Sequence, residues 1–169
     1  LPNSLRFHPA CWHGATAQRL PALVARVDGL PRLAVHRTYL RADGSGKAEV
    51  HPAKAMLGAA LGGAVRVADG HGPLVVAEGI ETALSLPSGL LRGPATVWAA
   101  LSAPGVAGLR LPDGIPHRLT VAPDGDTAGR DAAHKLAARA SALGWSVSLL
   151  PAPDGRDWND VLAKKGAAA

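Results

Sequence analysis

Three carboxylates stand at the ends of two apolar runs. "LVVAEG" (74–79) stops at Glu78, and "VAPDGD" (121–126) stops at Asp124 and Asp126. The chain has only three glutamates and ten aspartates, so this placement is selective. Alternate residues leaving a strand point the same way, so both aspartates can face one cation. Gly125 between them lets backbone or substrate come close. A third segment, "APDGRDWND" (152–160), adds Asp154, Asp157, Asn159 and Asp160. Crowded carboxylates repel one another unless a cation sits among them. Oxygen ligands with places left for water and phosphate suit Mg²⁺. Taken singly, each piece is weak. A lone Asp-x-Asp is more often a turn, and Asp126 could simply cap the helix after it. Three such segments at consistent strand ends are harder to explain as caps.

The elements that must position these acids follow from residue 71 onward. Short buried strands are expected at 73–79, 95–101, 117–124 and 145–151. Helices are expected at 80–86, 104–111, 127–144 and 158–166. Ala132, Leu136, Ala140 and Leu143 recur at three- and four-residue steps, and Gly144 suits a C-terminal cap. Such alternation predicts an α/β fold with a parallel sheet of about four strands and helices on its faces. All strands of such a sheet end at one edge, where ligands bind.

Residues 1–70 read differently. Strands are expected at 22–27, 33–40 and 48–52, with turns at 28–31 and 42–46. Residues 53–67 fit a helical turn followed by a Gly-broken strand. We therefore expect a small, mostly β subdomain over 1–70 and an α/β domain over 71–169. Charge divides at the same place. The first part holds nine Arg and Lys against four acids, while the second holds nine of each. A basic region suits a polyanion partner, although a solvated Arg-rich surface would look the same. Cys11 is the only cysteine, which excludes an internal disulfide and fits the cytoplasm. No apolar run nears a membrane span, so no membrane partner is expected. The chain begins with Leu1 instead of Met, as a piece of a longer protein would.

"VVAEGIETALS", "VAPDGDTAGRDAAHKLA" and "PDGRDWNDVLAKKG" together resemble the three motifs of a Toprim domain. That fold is shared by bacterial-type primases, topoisomerases and OLD-type nucleases. The resemblance covers about 73–166 and is nearest the primases and primase-helicases of phages and mobile elements. "LRFHPACWH" and "VHRTYLRADGSGKAEV" resemble the region preceding Toprim in such proteins. The resemblance implies Glu78 as a metal-adjacent acid/base group, Asp124 and Asp126 as metal ligands and Asp157 as a further ligand. Mg²⁺ or Mn²⁺ is the implied cofactor. Two positions depart from the primase pattern: Thr82, four residues after Glu78, is often Asp there, and Asn159 stands where a second acid falls.

The implied chemistry is nucleotidyl transfer: RNA primer synthesis on single-stranded DNA from nucleoside triphosphates, beside a replicative helicase. Arg6, Arg37, Lys47 and Lys54 are candidates for holding template or nucleotide through phosphate. Arg130, one turn past Asp126, is a further candidate. Two alternatives stay open: a Toprim nuclease that cuts DNA, and a non-catalytic nucleic-acid-binding module of a mobile element. A topoisomerase needs a nucleophilic tyrosine, and the only one, Tyr39, lies in a strand-like run. His8, Cys11 and His13 have metal-like spacing but read as structural. Trp12 and Trp158 could stack on bases, though partial burial is the plainer reading. Trp98 and Trp145 read as core.

Overall fold

In the computed structural model, residues 2–113 and 117–167 are described. The chain divides into two compact units, residues 1–60 and 61–169.

The first unit is an antiparallel sheet of four strands in sequential order: β1 (Leu5–His13), β2 (Gln18–Val27), β3 (Ala34–Tyr39) and β4 (Lys54–Leu57). Tyr39, Ala22 and Ala48 are buried together, with Cys11, Leu20 and Val24 packed against them. β1 was not legible in the sequence because Pro9 interrupts it. The register slips between His8 and Cys11, and Pro9 falls in that bulge. A bulge in an edge strand is where a sheet tolerates proline. Residues 48–52 are not a strand. Their neighbour Lys47 forms an isolated bridge to Leu40, while Ala48 drops into the core.

The second unit is a five-stranded sheet in the order β5-β7-β6-β8-β9. Its strands are β5 (Val65–Ala68), β6 (Leu74–Ala77), β7 (Thr96–Ala99), β8 (Arg118–Ala122) and β9 (Ser146–Leu149). The last four are mutually parallel, and β5 joins the edge antiparallel to β7. Residues 61–70, assigned from sequence to the first part, therefore lie in the second unit. The α-helices are α1 (Ile80–Ser85), α2 (Ala103–Gly108), α3 (Thr127–Ala142) and α4 (Trp158–Ala167), and a π-helical turn, Leu86–Leu90, continues α1.

The central strands β6 and β7 are buried along their whole length, as short apolar runs covered on both faces should be. Leu74, Val76, Leu119 and Val121 pack with Leu136 and Ala140 of α3. Full burial of each such Val or Leu contributes roughly 1.5–3 kcal/mol. α3 ends as its sequence suggests. Gly144 takes a positive φ of 83°, and its N–H and that of Trp145 bond the carbonyls of Ser141 and Ala140 at 3.0 Å each. This pair of bonds, with Trp145 folded into the core, is a Schellman ending.

Candidate metal-dependent site at the carboxyl edge of the sheet

β6 is the central strand of the five-stranded sheet. The chain leaves it through α1 toward β7 on one side, while β8 on the other side leads through α3 to β9. Connections that diverge from two adjacent strands make a switch point, where α/β sheets open a crevice for ligand. Ala77 pairs in register with Ala122. Glu78 is the next residue after Ala77, and Asp124 follows Ala122 by two. Both acids thus leave adjacent strands, about 4.8 Å apart, at the switch point. Each is half-buried.

The edge is built up around them. The Leu101 N–H donates to the Glu78 carbonyl at 2.7 Å, one step beyond the Ala100 to Ala77 bond. Leu101 holds a positive φ of 74°, a costly backbone state for a bulky residue that is typically kept where surroundings enforce it. The Thr82 hydroxyl, buried in α1, donates to Asp124 Oδ1 at 3.4 Å. Ser85, one turn on, donates to the Glu81 carbonyl at 2.9 Å and to Asn159 Oδ1 of α4 at 3.3 Å. The two departures from the primase pattern, Thr82 and Asn159, are thus hydrogen-bonding positions of α1 and α4.

Asp126 is the N-cap of α3, and its Oδ1 accepts the Gly129 N–H at 2.7 Å. Capping engages one oxygen of a group that offers about four lone-pair sites. Gly125 is enclosed by the loop before α4. Its N–H donates to the Arg156 carbonyl at 2.7 Å, and its carbonyl accepts from Gly155 at 2.9 Å. A Cβ built there would lie 1.9 Å from the Pro153 carbonyl oxygen. The close approach expected at Gly125 is thus made by this protein's own backbone.

Asp157 and Asp160 bond reciprocally. The Asp160 N–H donates to Asp157 Oδ1 at 2.8 Å, and the Asp157 N–H reaches Asp160 Oδ2 at 3.4 Å. This is the geometry of a capping box at the start of α4. Arg130 donates to the Gly125 carbonyl at 3.3 Å and pairs with Asp154, tying α3 to the same loop. Glu78 and Asp124 are therefore drawn together by strand register, whereas Asp126 and Asp157 each begin a helix. Among the described residues, no three His, Cys, Asp or Glu side chains are gathered as a metal cage. The donor chemistry nonetheless fits Mg²⁺, which binds through one or two carboxylates and takes its other ligands from water and phosphate.

The basic candidates of the first unit do not share one face. Arg6 and Arg37 lie in one cross-strand row, with Val24 between them. Lys54 pairs with Thr38 and so faces the other way. Lys47 is exposed beyond β3. Arg37 lies 5.8 Å from the centre of the Tyr39 ring and donates to the Trp12 carbonyl at 3.2 Å. Trp12 is exposed, against the partial burial expected of it, whereas the other three tryptophans resolve as packing. Trp98 and Trp145 are buried, and the Trp158 indole donates to the Leu150 carbonyl at 3.1 Å. His13 is buried, with Nδ1 2.7 Å from the Thr16 hydroxyl and Nε2 3.0 Å from the Pro52 carbonyl. Both of its nitrogens are thus engaged within the protein, a structural role.

Comparison with known proteins identifies the family of the second unit. A family described as "Toprim domain" matches residues 73–168, and a domain of unknown function, DUF7146, matches residues 1–67. No curated protein matches. Among solved structures, a DNA primase domain from Pseudomonas aeruginosa is similar, with a TM-score of 0.49 and 18% identity. The match covers 94% of this chain and 52% of that one, so the chain spans about half the length of its structural neighbour. The Toprim match takes in more than half of the residues, including Glu78, Asp124, Asp126 and Asp157, and the chain belongs to the Toprim domain family.

Proposed function

We propose that this chain is the catalytic part of a DNA primase, joining nucleotides into RNA on single-stranded DNA. Toprim domains generally bind divalent metal ions and act in nucleic-acid chemistry. The observation that carries the reading is the placement of Glu78 and Asp124 on adjacent strands at the switch point.

In this reading Glu78 and Asp124 hold Mg²⁺ or Mn²⁺, with Asp126 and Asp157 contributing at its margin. The ion supplies charge neutralisation at phosphate and a lowered pKa at the attacking hydroxyl. Thr82 keeps the Asp124 carboxylate oriented by donating to it. Asp126 fixes the start of α3 by capping it. In this reading Glu78 would accept the proton of the attacking 3′-hydroxyl. The basic first unit attracts template and triphosphate over a distance. A replicative helicase is the expected partner of the whole protein.

The test is a denaturing gel. Protein and an Asp124→Asn/Asp126→Asn variant are incubated with end-labelled single-stranded DNA, labelled nucleotides and Mg²⁺ or Mn²⁺. New short RNA that the variant fails to make is the expected result. Shortened DNA, also lost in the variant, would instead establish a nuclease. Binding without any product would favour a non-catalytic module.

A further inference from the structure

The first unit exposes two large aromatic side chains on one strand: Phe7 is 61% exposed and Trp12 is 50% exposed. They are five residues apart, and in a regular strand they would point to opposite faces. The β1 bulge changes this. Phe7 pairs with Leu23 and Trp12 with Arg19, four residues apart on the uninterrupted β2. Directly paired residues share a face, and so do positions four apart. The extra residue in the bulge therefore brings both rings to the same side of the sheet.

That side carries two cations, Arg19 and Lys54. Arg19 stands directly beside Trp12. The row that starts at Phe7 runs through Leu23 and Thr38 to the exposed Lys54. The opposite face buries Ala22 and Tyr39, while on the ring-bearing face Leu5, Ala25 and Thr38 are buried and Phe7, Trp12, Arg19 and Lys54 are exposed. The rings are about 13 Å apart along the strand, far enough to serve different bases. Trp12 is also held in place, because its carbonyl accepts the buried Tyr39 hydroxyl at 2.7 Å and Arg37 at 3.2 Å.

We infer that this face binds single-stranded nucleic acid by stacking bases on Phe7 and Trp12, with Arg19 and Lys54 at the phosphates. Exposed rings beside two cations suit a polyanion whose bases have free π-faces. Duplex DNA keeps its bases stacked and offers only its backbone. The inference deepens the nucleic-acid reading above but requires no catalysis.

The experiment titrates the whole chain into a short fluorescein-labelled oligothymidylate in EDTA, without nucleotides, and follows anisotropy. Trp12→Ala and Phe7→Ala should each weaken binding about 5- to 150-fold, the usual effect of removing one stacked base contact. Trp12→Phe keeps a ring and should retain most of the affinity. Duplex binding and the salt dependence should change little in any variant, since phosphate contacts remain. Wild-type affinity in both alanine variants, or no wild-type binding to the oligonucleotide, overturns the inference. Equal losses for single and double strands overturn it too, because they would mean a purely electrostatic surface. Without metal or nucleotides, the result is independent of whether primers are made.

Discussion

The hydroxyl of Thr82 donates to Asp124 across 3.4 Å, linking the first turn of α1 to the end of β8. Where many primases carry a further carboxylate, this chain has a neutral donor. Thr82→Val keeps the shape and removes the donor. The proposed primer synthesis should fall roughly tenfold, equivalent to about 1.4 kcal/mol of barrier, and Thr82→Ser should recover most of it. Stability should drop by about 0.5–1.5 kcal/mol. Steady-state rates and thermal melts of the three proteins check both numbers. Unchanged rates in the valine variant would remove Thr82 from the site.

Asp126 caps α3, and the proposed function gives its carboxylate a second, separable role. Asparagine caps a helix about as well as aspartate, whereas alanine costs about 1 kcal/mol. Asp126→Asn should therefore melt like the wild type yet lose metal-dependent activity. Asp126→Ala should lose both. If the asparagine variant polymerised normally, the carboxylate would be a cap and nothing more.

Gly125 has no room for a side chain, since an added Cβ would meet the Pro153 carbonyl oxygen at 1.9 Å. Gly125→Ala must push the 153–156 loop away, at a cost of about 1–3 kcal/mol. Urea denaturation measures the loss. Activity should fall with it, because the same loop leads to Asp157.

Tyr39 gives a pH signature. Burial raises its phenol pKa, opposed by the nearby Arg37 guanidinium, with Cys11 adding to the rise. A raised folded-state pKa means that the folded protein retains its proton where the unfolded chain releases it. The stabilisation is complete below the usual tyrosine range and is lost as pH climbs from about 10 through the folded value. Tyr39→Phe also loses the bond to the Trp12 carbonyl, so it should be less stable by about 0.5–1.5 kcal/mol at neutral pH. The gap should narrow in alkali. Melting curves at neutral and alkaline pH check it, and a constant gap would show that the phenol does not titrate with folding.

The alternation of apolar runs with helical periods determined the second unit. Those signals are local: Gly144 ends α3 and Asp126 begins it, as each residue type favours. The acids at strand ends could be read for the same reason, because a parallel sheet gathers its carboxyl ends at one edge whatever its strand order. Strand order itself is a long-range matter. Only the tertiary structure placed β6 between β7 and β8, and so made Glu78 and Asp124 neighbours at the switch point. Only it brought Thr82 to Asp124 and closed the 153–156 loop over Gly125, contacts between residues 28 to 42 positions apart. Pro9 hid β1 from a periodicity reading. The bulge at that proline then decided which face Trp12 occupies, since one inserted residue reverses every side chain beyond it.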